Sequence, residues 1–161
     1  EQLISALLNH YFVQKTPQLD PNLDWKGAID TWAKELRLAI LARPNLSRHL
    51  STENRPALIE FTRPLLAALI AAPLSEPVAV EVCRSLVHVI VSLTLGELET
   101  QSHRYDETAI VGDHLTRLLS NDANAYERSP DGKIPPPVFV QSIDWLIGGI
   151  EGQQQTRAER A

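Results

Sequence analysis

Residues 75–100 read SEPVAVEVCRSLVHVIVSLTLGELET, which is the longest and most apolar segment of the chain. Ser75 is suited to cap a helix N-terminus, and Glu76 is suited to the positive end of the helix dipole. Pro77 is tolerated in a first turn because its missing N–H would be unpaired there anyway. A single helix over this span would be about 37 Å long at a rise of 1.5 Å per residue, enough to cross a small domain.

The polar side chains of this segment share one side of the predicted helix. At 100° per residue they fall in a band roughly 120° wide, and most of the remaining circumference is Val, Leu, Ile, Ala and Cys. A helix this apolar is expected to be buried on more than one side, between its own bundle and something else. The band consists of Glu81, Arg84, Ser85, His88, Ser92, Gly96 and Glu99.

The same segment also has features of a β-strand. From Val87 to Leu95 every second residue is Val or Leu, and β-branched residues dominate, a pattern that strands share. The helix is favoured because the apolar pattern already begins at Val78 without a turn signal. The segment also exceeds the usual length of a strand, and no hairpin partner follows it.

Composition predicts one globular domain. The chain has 161 residues, of which 43% are hydrophobic, enough for a substantial core. Its uninterrupted apolar runs are far shorter than a membrane span, and no signal peptide is visible. A single cysteine, Cys83, excludes an intrachain disulfide and fits a reducing, cytoplasmic setting. Residues 71–161 carry seven Lys/Arg against thirteen Asp/Glu, so nucleic-acid binding by this stretch is not expected.

Two amphipathic helices are predicted in the first 50 residues. In the first, Leu3, Ala6, Leu7 and His10 follow helical spacing with Tyr11 or Phe12, and the helix ends before Thr16-Pro17. The second is capped by Asp24 and runs over residues 25–43. Its inward stripe is Trp25, Ala28, Ile29, Trp32, Leu36, Ala39 and Ile40. The side chains expected on the opposite, solvent-facing side are Lys26, Asp30, Lys34 and Arg37.

The rest of the chain predicts further helices. A short one is expected at residues 45–50, and a long one opened by residues 54–56, which Pro64 should kink near Glu60. Ile110, Leu115, Leu118 and Leu119 predict a short helix, residues 121–137 a loop, and Pro137 the start of the last helix. The fold prediction is an all-α multi-helix bundle of about six to eight helices, with one domain over residues 1–152 and a frayed polar tail over 153–161.

Four motifs, taken in order, resemble a known family. EQLISALL (1–8) looks like a helix that leaves a DNA-binding head, and DW…WAKELR…LARPNL (24–46) looks like the helix and short turn that follow it. AAPLSEPVA (71–79), leading to LGELE (95–99), resembles the entry to a long dimerisation helix, and FVQSIDWLIGGI (139–150) resembles a closing helix. Together they resemble the C-terminal regulatory domain of TetR-family transcriptional regulators.

The resemblance implies a small-molecule-responsive domain of a transcriptional repressor. It implies a ligand cavity inside each bundle and a homodimer in which the long helix and the last helix pair across a two-fold axis. The chain contains no Met and begins inside a helical pattern, so we expect the DNA-binding head to lie upstream, and DNA to be contacted only there. No cofactor, metal site, membrane contact or enzymatic activity is expected. The alternatives are a helical enzyme or an adaptor that binds a small apolar molecule or a protein partner.

Candidate effector-binding and dimer-interface residues are taken from the inward sides of the predicted helices, from the polar band of residues 75–100 and from the apolar stripe of the last helix. A small apolar or amphipathic effector is expected to contact Trp32, Leu36, Phe61, Leu65, Leu86, Ile90 and Thr94, although each of these also fits ordinary core. The predicted dimer interface comprises Ser85, His88, Ser92, Gly96, Phe139, Ile143, Leu146, Ile147 and Ile150, although the band on the long helix also fits a face in water. Glu97 and Glu99, like His103 and Asp106, are interpreted as a solvated helix end and not as an acid/base pair.

Overall fold

The computed structural model describes residues 2–50, 56–72, 74–103 and 132–158. These residues form helices and no strands, which confirms the all-α prediction and the helical interpretation of residues 75–100. The helices are α1 (Gln2–Gln14), α2 (Trp25–Ala42), α3 (Pro44–Ser47), α4 (Ile59–Ala71), α5 (Glu76–His103) and α6 (Pro137–Ala158).

Local sequence signals explain where several helices begin. The Asp24 side chain accepts a hydrogen bond of 2.8 Å from the backbone N–H of Gly27, so α2 starts where the cap was predicted. Pro44 opens α3 and Pro137 opens α6, at positions where a missing N–H leaves no bond unmade. The predicted inward stripe of α2 is confirmed, since all of it except the half-buried Trp25 is buried.

The core lies where α5 meets three other helices. α5 packs against α2, α4 and α6, and α2 also packs against α4. At the centre, the Phe61 ring makes edge-to-face contacts with Phe12 at 5.9 Å and with Trp32 at 6.2 Å between ring centroids. The Trp32 indole N–H donates a hydrogen bond of 3.1 Å to the backbone carbonyl of Phe61. The aromatic side chains therefore join α1, α2 and α4 in one core.

The buried face of α1 differs from the prediction. Leu8 and Phe12 are fully buried, whereas Leu3 and Leu7 are 71% and 49% exposed. The apolar residues of α1 form two overlapping stripes one position apart, and the rotation of the helix selects the one that contacts α4. The Tyr11 hydroxyl donates a 2.7 Å hydrogen bond to the backbone carbonyl of Ala39, which ties α1 to α2.

Two helix boundaries also differ. α4 begins at Ile59 and continues through Pro64 to Ala71. The last helix continues to Ala158, through most of the segment predicted as a frayed tail, because Gln, Ala and Arg are good helix formers. The predicted opening at residues 54–55, the helix around Ile110–Leu119, Asp106 and most of the 121–137 loop lie outside the described residues.

One described helix is long and apolar enough to cross a membrane. It covers Glu76–Glu99 and contains an 18-residue stretch with a mean hydropathy of 1.8, although no single apolar run within it is long. Length and composition alone are weak evidence, since the core helix of a water-soluble protein passes the same test. The exposed face of this helix carries Glu81, Arg84 and His88, which are costly to place in lipid.

Candidate functional site

The seven residues predicted to contact an effector come together in the structure, but as packed core. All of them are 0–1% exposed and lie where α2, α4 and α5 meet. Their polar groups are paired within the chain: the Trp32 indole bonds Phe61, and the Thr94 hydroxyl donates a 2.7 Å hydrogen bond to the backbone carbonyl of Ile90. The seven residues are Trp32, Leu36, Phe61, Leu65, Leu86, Ile90 and Thr94. Leu86 also lines a groove between α5 and α6, which is described below.

An open groove runs between α4 and α5, with a volume of about 300 Å³. Leu58 and Cys83 are buried at its base, whereas Ile59 and Val80 are exposed at its margins. The Thr62 hydroxyl also lines the groove and donates a 2.8 Å hydrogen bond to the Leu58 carbonyl. We call this feature the α4–α5 groove. Its apolar lining residues are Leu58, Ile59, Leu66, Val80, Cys83 and Val87.

Cationic side chains flank the α4–α5 groove on both helices. Arg63 of α4 and Arg84 of α5 both line it, and each pairs with a carboxylate one turn earlier on its own helix, Glu60 at 2.6 Å and Glu81 at 3.2 Å. The hydrogen bonds from Arg63 hold the pKa of Glu60 below its ordinary value. The lining residues include both arginines and His88 but neither carboxylate.

Cys83 contributes an apolar wall and not a reactive thiol. Its side chain is only 6% exposed, and burial raises its pKa to about 12. A nucleophilic cysteine needs a lowered pKa, because the thiolate is the reactive form. At neutral pH this thiol therefore stays protonated and acts as a small apolar group.

A buried ion pair lies at the opposite end of α5. The Arg37 guanidinium donates two hydrogen bonds to the Glu97 carboxylate, from Nε at 2.9 Å and from Nη2 at 2.7 Å, and both side chains are 1% exposed. Its Nη1 donates a third, of 2.8 Å, to the backbone carbonyl of Gly132, and the Phe139 ring lies 5.7 Å away. This arrangement joins α2, α5 and the start of α6.

The sequence-based interpretation of this pair was wrong. Arg37 was expected on the solvent-facing side of α2 and Glu97 at a solvated helix end, yet both are buried. The reason is that the last turns of α5 and the segment before α6 cover that side of α2. No local signal links two residues sixty positions apart, so periodicity alone places each charge in water. Glu99, by contrast, is exposed as expected.

The predicted interface residues divide between surface and core. On α5, Ser85, His88 and Ser92 are exposed and Gly96 is half-buried. On α6, Phe139 and Ile143 are only 2% exposed, so they lie in the core of their own chain and not on the outer face where the prediction placed them. The apolar stripe of an amphipathic helix packs inward, and in this chain the stripe of α6 packs against the other helices of its own bundle. Half-buried positions are held by Leu146, Ile147 and Ile150.

The outer face of α6 carries an unexpected set of residues. Trp145 is 70% exposed, and Gly148, Gly149 and Gly152 are exposed near it. Among the residues that the structure describes, a Cβ atom added at any of the three glycines would meet no atom within 4 Å, so packing against those residues does not require them. Each glycine nevertheless costs the helix about 1 kcal/mol relative to Ala.

A second groove, of about 530 Å³, lies between α5 and α6 beside these glycines. Val78, Val82 and Ser85 of α5 line one wall, and Trp145 and Gly149 of α6 line the other. The outer surface formed by α5 and α6 therefore contains a groove, small residues and apolar residues. We call it the α5–α6 face, and it consists of Val78, Val82, Ser85, Trp145, Gly148, Gly149 and Gly152.

No protein-family model matches this chain, and the comparisons with curated proteins and with solved structures found no match. The TetR resemblance therefore stays a prediction. Within the part of the chain that the structure describes, no group of three or more His, Cys, Asp or Glu side chains is placed to hold a metal ion.

Proposed function

We propose that this chain is the small-molecule-responsive regulatory and dimerisation domain of a TetR-like transcriptional repressor. In this proposal, two copies associate through the α5–α6 face and an effector binds beside α5. DNA is contacted only by an upstream head.

The observation that carries the proposal is the open α5–α6 face. In the part of the chain that the structure describes, 33% of the residues in the apolar stretch of α5 are buried. Beside it, Trp145 is exposed next to three glycines that no contact among the described residues requires. Exposed tryptophans are enriched at protein interfaces, and glycines let another backbone approach closely. A two-fold axis through this face would bury the same residues on both copies.

The contacts of α1 support a route from an effector to a DNA-binding head. Phe12 of α1 packs on Phe61 of α4, and α4 forms one wall of the α4–α5 groove. Leu3 and Leu7, which the chain leaves exposed on α1, are available to contact a head. An effector that favours one position of α4 would therefore shift α1, and with it the separation of two heads.

Sedimentation equilibrium of the chain tests the dimer. Between about 1 and 50 µM, a range set by ordinary interface affinities, we expect the mass of two chains. Gly148→Leu places a large side chain on the α5–α6 face and should give monomers. The matched control, Ala67→Leu, changes an exposed residue of α4 and should stay dimeric. A wild-type protein that is monomeric throughout this range would overturn the proposal.

A further inference from the structure

We infer that the α4–α5 groove binds an amphipathic carboxylate, with an unbranched apolar chain along the groove and one anionic head at its cationic rim. This ligand class rests on the proposed function in one respect, namely that the ligand is the effector of the domain. The binding site itself is argued from the groove alone.

The shape and lining of the groove suit an apolar chain. A volume of about 300 Å³ is at the small end of ligand sites and equals that of roughly ten water molecules. From Val80 to His88 the groove follows α5 for about 12 Å at 1.5 Å per residue, the length of a chain of about ten carbons. Leu58, Leu66 and Val87 offer it apolar walls, and the protonated Cys83 adds no charge. Burying such a chain here removes apolar surface of both partners from water.

The charges around the groove select the sign of the head group. Arg63 and Arg84 face the groove from opposite helices, whereas their partners Glu60 and Glu81 do not line it. Both ion pairs are exposed, with arginine side chains 69% and 64% accessible, so water screens each of them. Arg63 donates two hydrogen bonds to Glu60, of 2.9 and 2.6 Å, so Arg84 is the arginine that is more readily available to a ligand. A carboxylate can accept two parallel hydrogen bonds from one guanidinium, which makes arginine well suited to this head group. A cationic head would find no carboxylate among the residues that line the groove.

Calorimetric titration with three ligands of equal chain length tests both parts of the inference. Decanoate is expected to bind. Decanol, which keeps the chain but lacks the charge, should bind at least about tenfold more weakly, and decyltrimethylammonium should not bind detectably. All three are used below the concentrations at which they form micelles. Absent binding of decanoate, or equal affinity for decanoate and decanol, would overturn the inference.

Variants locate the ligand in the groove. The double variant Arg63→Gln/Arg84→Gln should lose at least about tenfold in decanoate affinity. It should then bind decanoate and decanol with similar affinity. Arg43→Gln, an exposed arginine outside this groove, is the matched control and should bind like wild type. Val87→Trp fills the groove and should block both decanoate and decanol, while circular dichroism verifies that the helices persist. Unchanged decanoate binding in the double arginine variant would place the ligand elsewhere.

Sedimentation of the same samples separates this inference from the proposed function. A dimer that fails to bind decanoate would reject the ligand class and leave the dimerisation proposal standing. A monomer that binds decanoate in the arginine-dependent way would reject dimerisation and leave the binding site standing.

Discussion

Breaking the buried ion pair between Arg37 and Glu97 is expected to destabilise the fold more than any exposed charge change. Glu97→Gln keeps the shape of the side chain but removes its charge and replaces one acceptor oxygen with an N–H donor. Arg37 then keeps its hydrogen bond of 2.8 Å to the Gly132 carbonyl but loses a charged partner that now holds it at 2.7 and 2.9 Å. The guanidinium stays buried, because both side chains are 1% exposed.

The magnitude follows from that burial. Removing one partner of a buried pair costs about 3–5 kcal/mol, because the other charge is left uncompensated. We expect this cost for Glu97→Gln, for Glu97→Leu and for Arg37→Met when each is made alone. The double variant Arg37→Met/Glu97→Leu leaves no buried charge. Its main loss is the donor to the Gly132 carbonyl, which costs about 1–3 kcal/mol. The two substitutions should therefore be non-additive by about 3 kcal/mol or more.

Urea unfolding measures these differences. Circular dichroism and tryptophan fluorescence, to which the buried Trp32 contributes, are followed at one fixed protein concentration, because association changes apparent stability. With a slope of about 2 kcal/mol per M urea, Glu97→Gln should lower the midpoint by about 2 M. Lys34→Met is the matched control, since the Lys34–Asp30 pair of α2 is 45% exposed on both sides and should contribute at most about 1 kcal/mol. A loss for Glu97→Gln no larger than this control, or additive losses in the double variant, would refute the reasoning.

Two further predictions concern single groups. Tyr11→Phe removes the 2.7 Å hydrogen bond to Ala39 and should cost about 1 kcal/mol in urea unfolding. Burial raises the pKa of Tyr11, and the charge of Arg43 opposes this in part. The stability that this phenol contributes is therefore present below its ordinary pKa of 10.0 and is lost as pH rises through the raised value. If the stability of the Tyr11→Phe protein fell with rising alkaline pH just as that of wild type does, this prediction would be contradicted. Cys83, with a pKa of about 12, has only about one thiol in 10⁴ ionised at pH 8, so a disulfide reagent should modify the native protein at least about 10³-fold more slowly than the urea-unfolded protein. Ala67→Cys, at an exposed position of α4 outside both proposed surfaces, is the control that should react at once, and fast modification of Cys83 in the native wild type would show that it is not buried.

Helix α5 links the two proposed surfaces. Cys83 and Val87 line the α4–α5 groove, while Val82 and Leu86 line the groove of the α5–α6 face. A ligand that moves α5 relative to α4 would therefore change the surface on which the second copy packs. If both proposals hold, decanoate should shift the monomer–dimer equilibrium, and by reciprocity dimer formation should change decanoate affinity by the same factor.

Much of the fold was predictable because its signals are local. Asp24 marks the start of α2, Pro137 marks the start of α6, and the apolar pattern from Val78 onward identifies a helix and not a strand. Caps, proline positions and the 3.6-residue period depend on neighbours within one or two turns, which a sequence displays directly. The same reasoning placed the inward residues of α2, α4 and α5 together, although as the lining of a cavity and not as packed core.

The site was less predictable because it depends on how separate helices meet. Residues such as Trp32 and Leu65 were expected to line a cavity, but their side chains fill the space between α2, α4 and α5 completely enough to be 0% exposed. The open groove lies one step around the same helices, at Leu66 and Val87. Whether two helices leave a gap depends on the volumes of side chains on both of them, and periodicity does not contain that information.

The amino-acid sequence by itself determined that this chain is helical, where most of its helices begin, and which broad face of each is apolar. The tertiary structure alone decided that Leu8 and not Leu7 enters the core, that Arg37 and Glu97 meet in the interior, and that Trp145 and the glycines of α6 remain outside. The difference is physical: a helix needs only its own neighbours in sequence to form, whereas the burial of a side chain depends on which distant segment comes to lie over it.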